Sequence, residues 1–380
     1  MSLPDRSLEA TTADAFTYDA LPGRVIFGAG SVAQLEQEVD RLGCRRVLLI
    51  AADAERALAE RLAAPLGRRI VATFTDVQPH VPVAVAEKAT AVAARHAVDC
   101  LLCIGGGSTT GTAKAVALET ALPIIAVPTT YAGSECTPVW GTTKDEHKTT
   151  GRSMRVLPRV VVYDPELTVG LSAAITASSG INALAHCIES LWAPGRNPIT
   201  TQVALAGVHS ITGALPSVIA RPSDVTARAG MMYGGYLAGA AFAVAGSGLH
   251  HKICHVLGGA YDLPHAETHS AVLSQVLAFQ APALSAQMPG LRAALGAGAG
   301  QAAAQAVYDL AHDVGGATSL ADTGLPVEID EHVVAAIVSS VPPDNPRPVS
   351  HADVRELLHA ARVGVRPPAD GQMQIATLRH

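Results

Sequence analysis

The sequence predicts an α/β protein, with a Rossmann-like parallel-sheet domain over residues 1–168 and an all-helical domain over residues 169–380. Three observations predict it. Short β-rich runs alternate with helical stretches as far as Tyr163, and the pattern turns to Ala-rich helices after Asp164-Pro165. The run Cys100–Ile104 leads straight into a glycine-rich turn and a helix. Alternation of this kind builds a parallel sheet with helices on both faces.

In chain order, Arg24–Phe27, Val47–Ala51, Ile70–Phe74, Cys100–Ile104, Ile124–Pro128 and Val160–Tyr163 are strand candidates. Each is rich in aliphatic residues and bounded by turn formers. Between them, Ala54–Leu66, Val83–His96 and Thr109–Thr120 carry helical periodicity. Beyond residue 165, breaks fall near Pro194–Pro198, Pro222, Pro264, Pro289-Gly290 and Pro342–Pro348. From Arg366 onward, Pro367, Pro368 and Gly371 leave no periodicity, which predicts a loose tail.

Composition narrows the partners. With 27 Lys and Arg against 33 Asp and Glu, the net charge is −6, and no basic block stands out, so a nucleic-acid surface is excluded. The N-terminal stretch carries Asp5, Glu9 and Asp14 without an apolar core, which predicts no signal peptide. Six scattered cysteines fit reduced thiols in a cytoplasm. Cys100 and Cys103 share a strand and are three apart, so they face opposite sides of it as core residues. Gly230 to Leu249 is uncharged and near the length of a membrane span, yet it runs into a histidine cluster and reads as a buried helix, with no membrane partner expected.

Two loops are candidates for holding a dinucleotide. Gly105, Gly106, Gly107 and Ser108 follow a buried strand and open a helix at Thr109 or Thr110, where unpaired N–H groups and the positive dipole end suit a pyrophosphate. The segment lacks the G-x-G-x-x-G spacing. A second loop carries Thr129, Thr130 and Thr137 after the Ile124–Pro128 strand. Asp53 can bind ribose hydroxyls or cap the helix that follows, and the cap is preferred.

Polar residues at helical spacing mark the other half. Asn182 and His186 share one helix face, and His251 and His255 share another. His265 follows Pro264 at a loop-to-helix junction. Buried polar groups need partners, so together these predict one shared polar cavity.

The chain resembles the iron-dependent (group III) alcohol dehydrogenase family over nearly its whole length. The resemblance rests on Gly105-Gly106-Gly107-Ser108 with Ala113-Lys114, Pro128-Thr129-Thr130 to Gly133-Ser134-Glu135, Lys148, Asp164-Pro165, Gly180 to His186, His251, His255 and Pro264-His265. It implies NADH or NADPH as cofactor, with Lys148 among the cofactor-binding residues, and positions 182, 186, 251 and 265 as the family's Fe²⁺ or Zn²⁺ ligands. In this chain Asn182 replaces the family's aspartate, and Gly111 replaces an acidic residue. Both departures, with His250-His251-Lys252 and Leu263 to His269, are similar to the maleylacetate reductase branch.

An amide is a poor ligand beside a carboxylate, so the expectation is a site without metal. The resemblance implies reduction of maleylacetate, a small dicarboxylate, to 3-oxoadipate at the end of a bacterial aromatic-degradation route. His251 or His255 is then the candidate electrophile at the enolate oxygen, and one of this cluster, or a water it holds, protonates C3; Lys252, His186 and Asn182 are candidates for holding the carboxylates, with Arg196 or Arg347 as the alternative clamp should Lys252 be a solvated helix residue. The competing readings are a metal-dependent alcohol or polyol dehydrogenase, a dehydroquinate-synthase-like lyase and a silent assembly protein. A cytoplasmic homodimer is expected, with Phe16–Phe27 exchanged between subunits.

Overall fold

The computed structural model describes residues 15–21, 23–144 and 147–369, with the side chains of His147 and Lys148 outside it. Strands β1 (Arg24–Phe27), β2 (Val47–Ile50), β3 (Ile70–Phe74), β4 (Cys100–Gly105), β5 (Ile124–Pro128) and β8 (Val160–Tyr163) form one parallel sheet. Its order is β1-β8-β5-β4-β2-β3. The central strands are buried on both faces, as their unbroken apolar runs require. Cys103 joins the core on one face and Cys100 the core on the other.

Helices α1 (Leu35–Arg41), α2 (Arg56–Ala63), α3 (Val83–Arg95) and α4 (Gly107–Thr120) connect the strands. Strand order reverses direction between β2 and β4, which creates a crevice at their carboxyl ends. An antiparallel hairpin, β6 (Val139–Lys144) with β7 (His147–Arg152), stands apart from the sheet. The sequence reading missed it because its Thr-rich strands carry no aliphatic run. Trp140 lies across Gly151, where a Cβ would meet the indole at 2.6 Å.

From residue 173 the chain is helical: α5 (Ala173–Glu189), α6 (Pro198–Ala220), α7 (Val225–Ala245), α8 (Leu249–Tyr261), α9 (His265–Gln280), α10 (Met288–Leu295), α11 (Ala303–Asp313), α12 (Glu331–Ser340) and α13 (His351–Val363). By length and composition α6 is apolar enough to cross a membrane. It packs against α5, α7 and α10. Close approach of backbones explains the glycines of α7. A Cβ on Gly239 would sit 2.5 Å from the Gly133 carbonyl, and one on Gly234 would strike Ile211 of α6.

Two local expectations fail. Asp53 opens a short 3-10 turn without capping it through its side chain. The start of the segment read as a loose tail is anchored as far as Pro367, since Arg366 pairs with Asp309 and the Pro367 carbonyl accepts from Gln305. Residues 370–380 lie outside the described part, as do residues 1–14, where the absence of a signal peptide was expected.

Candidate active site

A cavity of about 570 Å³ opens between the carboxyl end of the sheet and helices α5, α7, α8 and α9. Its two principal walls are built differently. On the sheet side, β4 ends in Gly105, whose φ of +154° and crowding exclude a side chain: a Cβ would lie 2.5 Å from Thr109 Oγ1 and 2.7 Å from Glu55 Oε2. Gly106 precedes the first turn of α4 and supplies no side-chain cap. The N–H groups of that turn therefore remain available to an anion. The helix opens at Gly107, before the Thr109 or Thr110 expected from the sequence, and Gly107 and Ser108 line the cavity.

The second loop completes this wall. Thr137 lines the cavity, whereas Thr129 is buried and donates to Glu55 Oε1 at 2.7 Å, and Thr130 packs behind Gly106. Lys114 lies beneath, with Nζ donating to the carbonyls of Ser134 (2.6 Å), Thr137 (2.8 Å) and Val139 (2.8 Å). Gly111 also faces the cavity. Val81, buried and held at φ 49°, would touch a Cβ there at 2.8 Å, so the missing side chain at 111 makes room for Val81.

On the helical side, Asn182, His186, His251, His255 and His265 line the same cavity. His186 stacks on His251 with ring centroids 4.9 Å apart, and both rings pack against Phe242. His265 is the first residue of α9 and is exposed. Lys252 is only half-buried and does not line the cavity, but its charge stabilises the Glu189 carboxylate. Neither Arg196 nor Arg347 reaches the cavity: the first is exposed, and the second stacks on Phe279 at 4.0 Å. The Lys148 side chain lies outside the described residues.

Three residues join this wall that the sequence reading left out of the site. Glu189, fully buried on α5, accepts from the backbone N–H of His250 (2.7 Å) and His251 (3.4 Å) at the start of α8, and from His251 Nδ1. The carboxylate thus caps a helix whose own N-cap, Gly248, has no side chain to do so. A Cβ on Gly248 would lie 3.1 Å from Glu189 Oε1. His250 and His269 are fully buried behind His251. His269 is four residues beyond His265 on α9, a helical spacing that was available to find it.

Burial sets the protonation of this cluster. It drives His186 down to about 3 and His250 to about 4, and holds His251 and His269 well below the ordinary imidazole value. Burial also lifts Glu189 to about 7, against the N–H groups that stabilise its charge. Neutral imidazoles offer lone pairs. Asn182 Oδ1, His186 Nδ1, His250 Nδ1, His251 Nε2 and both ring nitrogens of His269 are buried and find no hydrogen-bond partner among the described residues.

A parallel sheet whose helix start leaves N–H groups open to an anion, facing a buried histidine cluster, has the build of a dinucleotide-dependent oxidoreductase. The chain belongs to the iron-containing alcohol dehydrogenase family, whose models match residues 22–165 (iron-containing alcohol dehydrogenase) and 176–362 (Fe-containing alcohol dehydrogenase family, C-terminal). It is 45% identical to the maleylacetate reductase of Burkholderia cepacia, over 93% of this chain and 99% of that one. The solved maleylacetate reductase of Rhizobium sp. strain MTP-10005 superposes with a TM-score of 0.88 at 41% identity, covering 93% of this chain and 100% of that one. That of Agrobacterium tumefaciens gives 0.88 at 40% identity, covering 93% and 100%.

Family membership overturns the expectation of a site without metal, because an iron-containing family implies a bound cation beside NAD(P)H. That expectation weighed one amide against one carboxylate and left out the imidazoles of His250 and His269 and the carboxylate of Glu189. The residues present fit a divalent cation. Each orphaned buried acceptor costs about 1–3 kcal/mol, and a cation among these lone pairs relieves several at once. His251 has the arrangement of a metal-binding imidazole, with one ring nitrogen held by a carboxylate and the other unengaged.

Proposed function

We propose that the chain uses NADH or NADPH to reduce the conjugated double bond of maleylacetate, and of substituted maleylacetates, to give 3-oxoadipate. The observation that carries this reading is identity of 40–45% to maleylacetate reductases along 93% of the chain. The cavity supports it, since one wall suits a pyrophosphate and the other offers hydrogen-bonding groups to a small dicarboxylate.

Maleylacetate is a 4-oxo-2-enoate. Hydride added at C2 pushes an electron pair through C3 onto the ketone oxygen, and a proton at C3 restores the ketone. When bound, a reduced nicotinamide supplies that hydride and a divalent cation supplies fixed positive charge at the histidine cluster. The N–H groups at Gly107 and Ser108, with Thr137, hold the dinucleotide. His251 and its buried histidine neighbours would hold the cation, oriented by Glu189. His255, on the cavity wall, donates to the ketone oxygen as charge develops there. His265, open to solvent, delivers the proton to C3. Asn182 and His186 receive the substrate carboxylates.

On this reading the sheet part (1–168) and the helical part (169–380) are two domains with the site in the cleft between them. The chain acts in the cytoplasm as a homodimer. Support for the dimer comes from β1, an edge strand whose Val25 and Phe27 are 38% and 40% exposed. The test is loss of nicotinamide absorbance on adding maleylacetate to enzyme and NADH or NADPH. Rapid turnover is expected. Oxidation of simple alcohols with NAD⁺, and none of maleylacetate reduction, would transfer the chain to the alcohol dehydrogenases.

A further inference from the structure

We infer that His80 binds the substrate carboxylate at C1, from a third side of the cavity formed by the loop 79–82 and the β6–β7 hairpin. The inference rests on the reductase reading and names the group that reads one end of its dicarboxylate. His80 and Val81 line the cavity together with Trp140, Gly141 and Thr150 of the hairpin. No Lys or Arg is among the described residues of that lining, whose basic side chains are five histidines. Four of them, His186, His251, His255 and His265, come from α5, α8 and α9. His80 is the one on the sheet side.

A strained backbone fixes its position. His80 and Val81 stand at φ 59° and 49°, consecutive left-handed residues of which the β-branched valine is the more costly. Such a conformation persists only where its surroundings over-determine it. Here the hairpin does so: Thr143 donates its backbone N–H to the Val81 carbonyl at 3.1 Å and its hydroxyl to the His80 carbonyl at 2.9 Å, and Pro82 pairs with Thr143 in an isolated parallel bridge. Val81 is buried, and a Cβ on Gly111 of α4 would meet its Cγ2 at 2.8 Å. With both carbonyls held by Thr143 and Val81 packed on α4, His80 is left exposed at the cavity edge.

The reaction says which carboxylate meets it. Hydride enters at C2, and the C1 carboxylate is bonded to that carbon. The end of the substrate that meets the nicotinamide therefore brings this carboxylate to the sheet side, where Gly107 and Ser108 line the cavity. An imidazole keeps at least one N–H in either charge state, so His80 donates to a carboxylate with or without a second proton. An acidic side chain at 111 would strike Val81 and set a negative charge along the same side, and glycine avoids both. The C6 carboxylate, beyond the ketone, is left to Asn182 and His186 on the helix wall.

Steady-state kinetics of wild type, His80→Ala and His80→Gly are compared on maleylacetate and on its C1 and C6 monomethyl esters. Glycine accepts φ 59° without strain, so a loss shared by both variants comes from the missing ring and not from the backbone. Both variants are expected to raise the KM for maleylacetate about tenfold, the loss of one hydrogen bond to a charged group, with kcat and the KM for NADH within about threefold of wild type. Wild type should prefer the diacid to the C1 ester by more than either variant does, by about that same factor, while discrimination against the C6 ester is equal in all three. Equal losses on the diacid and the C1 ester would reduce His80 to a structural role, and a rise in the KM for NADH would make it a cofactor contact. Either result overturns the assignment, as does an unchanged KM for maleylacetate. Wild type that reduces neither maleylacetate nor its esters overturns the reductase reading as well, so the wild-type rate tells the two failures apart.

Discussion

The sheet wall and the helix wall of the cavity solve the same problem in opposite ways. Gly105, Gly106 and Gly107 contribute backbone, and Thr109 and Glu55 crowd the Cβ position of Gly105 while Thr130 crowds that of Gly106. The helix wall contributes side chains, and its backbone is consumed in helices. On the proposed function, one wall recognises the cofactor by N–H groups whose positions the fold fixes. The other recognises by lone pairs and N–H groups that depend on buried outer partners such as Glu189. A conserved cofactor can be bound by shape alone, whereas chemistry at a specific carbon needs groups that can be aimed.

The largest expected effect tests this division on the helix side. His255→Ala should lower kcat for maleylacetate by about 10²–10³, the cost of one donor at a developing oxyanion, while the KM for NADH stays within about threefold. A shift confined to the NADH KM would dissolve the division, because the side-chain wall would then be binding cofactor. The reciprocal change is smaller. Gly105→Ala forces a Cβ against Thr109 and Glu55 at a φ of +154°, and should weaken NADH binding about tenfold, or roughly 1.4 kcal/mol. Ser108→Ala, which removes only a hydroxyl, should change it by less than about threefold. Equal losses from both substitutions, measured by fluorescence titration, would mean that the hydroxyl and not the backbone carries recognition.

The two walls were also unequally legible. The strands of the sheet were readable because parallel strands buried on both faces leave continuous aliphatic runs, and all six matched to within a residue at either end. The glycine turn was visible for a different reason: Gly105's φ of +154° and crowded Cβ position favour glycine there. In the helical half, five residues at helical spacing were found, but His250, His269 and Glu189 were not taken into the site. Adjacent histidines at 250 and 251 do not share a helix face, so spacing alone argued against pairing them. What joins them is the packing of α9 against α8 and α5, a long-range fact that no local pattern encodes. Lys252 shows the converse, since a charge next to His251 in sequence does not line the cavity that His251 lines. The hairpin β6–β7 was missed because its Thr-rich strands look like loop.

Lys114 joins the two comparisons, being the buried charge beneath the backbone wall. Its three ammonium hydrogens meet the carbonyls of Ser134, Thr137 and Val139, which shape the loop behind Thr137. Burial nevertheless drives it down to about 7, with the carboxylate of Glu135 opposing. The other groups facing it are Cys103 and Cys136, both raised by burial, and Glu135, raised by burial and accepting from Tyr163 Oη at 2.7 Å. Above pH 7 the folded chain sheds this proton while the unfolded chain, at the ordinary lysine value, keeps it. The unfolded state then binds more protons, so stability rises with pH, by about 1 kcal/mol between pH 7 and pH 8. Urea unfolding of wild type and Lys114→Met at both pH values isolates this contribution. The wild type should gain and the variant should not. If both respond alike, the lysine stays charged in the fold, and the three carbonyls rather than burial set its protonation.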